Sequence, residues 1–197
     1  AAALMGFMIL RMGLELAWGA LKELIDTGLD DAQVDAIRKT LLATPGVRGL
    51  HELRTRRMAH QALVDAHVLV DARISVSEGH RIAESARAGV LREHHDVLDV
   101  LVHIDPEDDL DPDLAAAGLP SREALLEELA DLLVTLPTPE HVVLHYLGGR
   151  VEVEVFLAHD VFADISALRS TEAALAERIK DHPAIRSISL NFRIAPE

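Results

Sequence analysis

The feature that most constrains this chain is an order of helical and strand-like runs that it passes through twice. "DAQVDAIRKTLL" has helical apolar spacing and is announced by an Asp cap, which predicts a helix over 31–43. "TPGVRG" breaks it. "LHELRTRR" and "ALVDAHVLVD" then read as strands around "RMAHQ", a hairpin. "SVSEGHRIAESARAGVLREH" predicts a second helix opened by a serine, and "VLDVLVHIDP" a third strand. The acidic, proline-containing "EDDLDPDLAAAGLP" reads as a linker, and the same α, β, β, α, β order follows. Its parts are "SREALLEELADLLVTL", "EHVVLHYL", "RVEVEVFLA" about a Gly-Gly turn, "DISALRSTEAALAERIKDH" and "IRSISLNFRIAP". Placing "VHIDP" on "FRIAP" lines up the two final strands without a gap. This is an internal repeat of a small α+β layer, with helices on one face of a sheet. A unit of about 75 residues has a thin core, so its open sheet surface is expected to be covered by a sister unit or another chain.

Charge and composition exclude several functions. The net charge of −14 leaves no basic surface for phosphates, so nucleic acid is not an expected partner. With no cysteine, disulfides and thiolate metal sites are impossible. A bound metal would have to use imidazole and carboxylate, which suits zinc and also manganese, iron, cobalt or nickel. Aromatic residues are 3%, so Leu, Val, Ile and Ala must fill the core.

The chain starts "AAALMGFMIL", ten apolar residues, and continues "RMGLELAWGALKELID". A spanning helix needs about 20 mostly apolar residues, and Arg11 and Glu15 interrupt this one. One reading is a buried amphipathic helix. The reading we prefer is the cytoplasmic end of a transmembrane helix, with Trp18, Lys22 and Glu23 at or beyond the interface. The initial alanine fits a piece of a longer protein or a processed chain.

Histidines number eleven. Strand alternation places His67 with Asp65, Leu69 and Asp71, opposite Val64, Ala66, Val68 and Val70. His103 and Asp105 likewise share a face, opposite Val102 and Ile104. Neighbouring strands could gather His51, His67, His103 and Asp105 on one side, a set that suits tetrahedral Zn²⁺. That gathering depends on a strand order the sequence does not give, and the spacings match no HExxH-type fingerprint. On the residues alone, a metal site and a solvated polar face both remain open. His94 and His95 fall in a helix-to-strand loop with Glu93 and Asp96, and His60 in the hairpin turn. His141, His145, His159 and His182 are scattered through the second unit and read as surface residues.

"GLHELRTR", "DAHVLVD", "SEGHRIAE" and "VHIDP", in that order, resemble the cytoplasmic domain of the cation diffusion facilitator family of metal transporters. The likeness runs from about Ala1 to Asp109. "LRMGLELAWGALKELID" is similar to the end of that family's last transmembrane helix. The resemblance implies a ferredoxin-like, metallochaperone-like αββαβ domain in a homodimeric, proton-coupled exporter of Zn²⁺ or Fe²⁺, Mn²⁺, Co²⁺, Ni²⁺ or Cd²⁺. It implies His51, His67, His80, His103 and Asp105 as ligands, with His80 reaching from the partner chain. It implies that Asp26 helps lock the membrane helices by a charge pair. The expected location is the cell (inner) membrane, most of this chain lying on the cytoplasmic side.

The resulting division is 1–27, end of the last transmembrane helix and connector; 28–109, metal-binding αββαβ domain; 110–120, acidic linker; and 121–197, a degenerate αββαβ unit. Two departures qualify the likeness. The family's transport site lies on earlier helices not found in this sequence. In the second unit, hand alignment replaces His67 by Glu154, His103 by Arg193 and Asp105 by Ala195, so a structural role is expected there. The alternative function is a soluble metal chaperone or sensor. No HExxH, GxSxG or P-loop pattern supports an enzyme.

Overall fold

The computed structural model describes residues 2–24, 28–58, 60–108, 118–133, 136–158, 161 and 165–193. The chain divides into two compact units, Ala1–Pro106 and Glu107–Glu197.

Helix α1 (Ala2–Leu24) is rich in Ala, Leu and Met, good helix formers that outweigh Gly6, Gly13 and Gly19, and it holds no proline. At 1.5 Å per residue its 23 residues are about 34 Å long, enough to cross a bilayer's hydrocarbon core of about 30 Å. Its stretch Ala2–Leu21 has mean hydropathy 1.4 and no buried residue, and Phe7, Met8, Ile9 and Trp18 are all more than half exposed. Arg11 and Glu15, the two charges that interrupt the apolar run, pair with each other one turn apart at 2.8 Å.

The rest of the first unit has the predicted order. Helix α2 (Asp31–Leu42) starts at a capping box: the Gln33 N–H donates to Asp30 Oδ1 at 2.8 Å, and the Gln33 side chain accepts from the Asp30 N–H. Strands β1 (Gly49–Met58) and β2 (Gln61–Leu69) form the hairpin. Helix α3 (Val76–Glu93) is capped by Ser75, whose Oγ accepts from the Glu78 N–H. Strand β3 (Val97–Asp105) pairs parallel to β2, giving the sheet order β1-β2-β3. Ile37 and Leu41 of α2 and Ala86 and Val90 of α3 bury against Val64, Ala66 and Val100. This valine face is the one the alternation predicted.

The second unit repeats the plan with α4 (Arg122–Leu132), β4 (His141–Leu147), β5 (Arg150–Ala158), α5 (Ile165–Ile179) and β6 (Ile185–Arg193), sheet order β4-β5-β6. Its core joins Leu125 and Leu129 to Val151, Val153, Val155 and Leu157, and to Leu175, Ile179, Ile185 and Leu190. Gly148 and Gly149 close the hairpin with φ of 56° and 67°, the double left-handed turn that suits strand twist.

The registers correct the alignment of the two units. Met58 pairs with Gln61, and Leu147 with Arg150, at the hairpin ends. Each parallel pair starts alike: Ala62 N–H donates to Asp96 O, Val151 N–H to Ala184 O, and one register slip follows. Matching these landmarks sets His67 against Phe156, His103 against Asn191 and Asp105 against Arg193. The expected counterparts Glu154, Arg193 and Ala195 are each displaced by two positions. A two-residue slip keeps every valine on the core face, so apolar periodicity could not reveal it. Ala195 itself lies outside the described residues.

Two histidines serve loops. His94 Nε2 lies 2.9 Å from Thr40 Oγ1. His182 Nδ1 accepts from the Ala184 and Ile185 N–H groups at 3.2 and 3.0 Å, so the proton is on Nε2, 2.8 Å from Glu128 Oε1.

Candidate metal centre

The open face of the β1-β2-β3 sheet carries a cluster built on one backbone irregularity. Leu50 pairs with Val68 and Glu52 with His67, so His51 is the extra residue of a β-bulge. In a regular strand, residue 51 would share the face of Leu53, which packs on the core. The bulge lets Leu50 and Leu53 both keep core positions while His51 and Glu52 both turn to the open face.

There, His51 Nε2 and His67 Nδ1 each lie 2.9 Å from the same oxygen, Asp105 Oδ2. Ligand atoms of His51, His67 and Asp105 all lie within 4.8 Å of one another. The His51 side chain is 7% exposed, Asp105 13% and His67 29%. Two neutral imidazoles and one carboxylate at this separation are a donor set that a tetrahedral dication fits, with a fourth position open. Asp105 is the only negative member of the three, and its carboxylate is the bond acceptor that currently holds both rings.

His103 pairs across from His67, and the two rings stack at 4.3 Å with 9° between planes. It stands beside the group of three, exposed to solvent. His80 is elsewhere. It lines an apolar cavity of about 350 Å³ at the start of α3 with Gly79, Val102 and Ile104. Val102 and Ile104 face away from His103 and Asp105, so one chain does not bring His80 to the cluster. Asp26 lies outside the described residues, as does His159. His60 is an exposed turn residue, and His145 Nε2 lies 3.5 Å from Glu154 Oε1 in the second unit.

Glu52 was not singled out from the sequence. Its Oε2 lies 3.7 Å from His67 Nε2, and its Oε1 accepts from Arg54 Nη2 at 2.6 Å. Plain alternation places residues 51 and 52 on opposite faces, and only the bulge joins them. Asp71, expected on the His67 face, is bound instead at the strand end. The Arg73 N–H and then the Arg48 guanidinium hold its carboxyl below the usual range.

The fold and the cluster together define a two-layer αββαβ domain with a histidine–carboxylate centre on its open sheet face. Residues 29–107 match the family model for the cytoplasmic domain of cation efflux proteins. Over this segment the chain is similar to a family of cation transporters, which is not an enzyme class. Metal tolerance protein C1 of Arabidopsis thaliana is 37% identical over 99 residues, half of this chain and 21% of that protein. Cation-efflux pump FieF of Pectobacterium atrosepticum is 33% identical over 101 residues, 51% of this chain and 33% of the pump. Manganese efflux system protein MneP of Bacillus subtilis is 24% identical over 106 residues, 54% and 36% of the two chains. The chain thus spans between a fifth and about a third of these relatives. Among solved structures, a cadmium form of the MamM CTD is 26% identical and covers 40% of this chain and 96% of its own, with TM-score 0.39.

Proposed function

We propose that this chain is the cytoplasmic dimerisation and metal-sensing part of a proton-coupled divalent-cation exporter, with zinc as the leading ion. The observation that carries the reading is the convergence of His51, His67 and Asp105 on one open sheet face. The ligand set also accepts Fe²⁺, Mn²⁺, Co²⁺, Ni²⁺ or Cd²⁺, and MneP bears manganese in its name. His103 completes the set on the same face, and His80 reaches it from the partner chain of a homodimer. Metal held between two such domains favours their closed arrangement through its higher affinity for that state. Helix α1, long, apolar and exposed along its described length, serves as the end of the last membrane helix. It anchors the chain to the cell (inner) membrane with the two αββαβ units on the cytoplasmic side, and Asp26 pairs with a charge on the membrane helices. The second unit widens the assembly without binding metal.

Titration calorimetry of the 197-residue chain with zinc, beside light scattering for the dimer, tests this. A variant lacking both His103 and Asp105 is expected to lose tight zinc binding. Unchanged affinity and stoichiometry in that variant would overturn the assignment.

A further inference from the structure

His67 meets a carboxylate at each end of its ring. Nδ1 lies 2.9 Å from Asp105 Oδ2, in the group of three, and Nε2 lies 3.7 Å from Glu52 Oε2, outside it. A neutral imidazole has one proton and one lone pair to assign between these nitrogens. An ion gathered by His51 Nε2, His67 Nδ1 and Asp105 takes the Nδ1 lone pair, and the His67 proton must then sit on Nε2.

We propose that Glu52 is the positioning residue for His67: it accepts the Nε2–H once Nδ1 turns its lone pair to the metal. The proposal rests on the metal-centre reading above. Three observations on the chain argue for it. The register sets Glu52 opposite His67, on the open face that the bulge lets His51 share. Arg54 Nη2 holds the other carboxylate oxygen at 2.6 Å, which orients the carboxylate and leaves Oε2 as the acceptor toward His67. The 3.7 Å gap closes to hydrogen-bond length by a small turn of either side chain, and such bonds commonly tighten only when a site is loaded. A carboxylate behind a ligating histidine sets its tautomer and raises its basicity. The same device explains why His67 is pulled by two acids when one would satisfy it. Asp105 takes the ring in the metal-free chain, and Glu52 takes it in the loaded one.

The experiment uses the 197-residue chain in detergent micelles with zinc as the probe. Zinc affinity is measured by calorimetry, and the His67 ring by ¹⁵N–¹H NMR. Zinc-loaded wild type is expected to show a downfield, slowly exchanging His67 Nε2–H. Glu52→Ala should weaken zinc binding on the order of 10- to 100-fold and abolish that protected proton. Glu52→Gln keeps the shape and a neutral acceptor oxygen. It should bind zinc within a few-fold of wild type, with the Nε2–H signal retained but moved upfield. Wild-type affinity in Glu52→Ala overturns the proposal. So does Glu52→Gln binding as weakly as Glu52→Ala, because Glu52 would then be a ligand itself. An Nε2–H signal unmoved in Glu52→Gln also overturns it, and that readout stands if Glu52→Ala does not fold. Unchanged zinc binding in His51→Ala would instead remove the metal centre, an outcome separate from those three.

Discussion

Replacing Asp105 by Asn separates a carboxylate that binds metal from one that only holds two rings. In the metal-free chain, Asp105 Oδ2 accepts from both His51 and His67 at 2.9 Å in a nearly buried setting. Asn keeps one acceptor oxygen of the same size but turns charge-assisted bonds into neutral ones, a loss of about 1–2 kcal/mol. In zinc the difference should be larger, because Asn removes the only anionic ligand of the three. A loss of affinity on the order of 100-fold is expected, the upper end of what even outer-shell changes produce. At free zinc about 100 times the wild-type dissociation constant, wild type gains about 2.7 kcal/mol and the variant only about 0.4. For a domain of this size that is a rise in Tm of about 11–22 °C against about 2–3 °C. The assay must see the right unit. Trp18 stands on α1, and the chain has one Trp and one Tyr, Tyr146 lying in the second unit. Fluorescence is therefore blind to the metal face, and scanning calorimetry or amide NMR of the first unit is needed. Equal zinc-induced shifts in both proteins would refute the reasoning, since a purely structural Asp105 lowers both curves alike.

Leu41→Ala should destabilise the first unit by about 2–5 kcal/mol, since Leu41 is fully buried, and urea unfolding followed by NMR of that unit would show it. Gly148→Ala should destabilise the second unit by about 1–2 kcal/mol in calorimetry. It places a side chain at φ 56°, and its Cβ would meet Arg186 Nη2 at 2.8 Å. The Val100 N–H and then the Arg87 guanidinium hold the Asp99 carboxyl below its ordinary range. A depressed carboxylate contributes stability above its unfolded value and loses it as pH falls through the folded one. Asp99→Asn should therefore flatten the acid side of the stability–pH curve, read from unfolding midpoints between neutral pH and about 3, and leave the neutral arm's slope unchanged. Ile9→Asp should reduce binding of the chain to liposomes in a flotation assay, because a charge midway along the apolar run of α1 is costly in hydrocarbon.

Both αββαβ orders were legible because each strand buries one face. Val64, Ala66 and Val68, and again Val151, Val153 and Val155, mark strands that need no comparison to find. Ser75 and Ser121 marked their helix starts for the same local reason, a hydroxyl that caps the first turn. What alternation cannot carry is anything that keeps the period while changing its origin. The two-residue slip between the units preserves every core valine and so left no trace. The bulge at His51 sets two consecutive residues on one face, which plain alternation forbids, and this hid Glu52. That neighbouring strands could gather His51, His67, His103 and Asp105 on one face was legible but hung on the strand order, and the structure adds that His51 and His67 meet one oxygen of Asp105. His80 shows the opposite limit. Its place in the likeness named it as a ligand, but within one chain it lines a cavity with Val102 and Ile104, on the side away from Asp105.

The extra residue in β1 also bears on how such a face is gained and lost over generations. Removing His51 alone would restore unbroken alternation, with Leu50 and Leu53 inward and Glu52 outward. One codon therefore separates a strand that presents His51 beside Glu52 from an ordinary amphipathic strand, with Leu50 and Leu53 on the core face in both. Whether β1 presents His51 on the open face is thus a matter of chain length at one point as much as of residue identity.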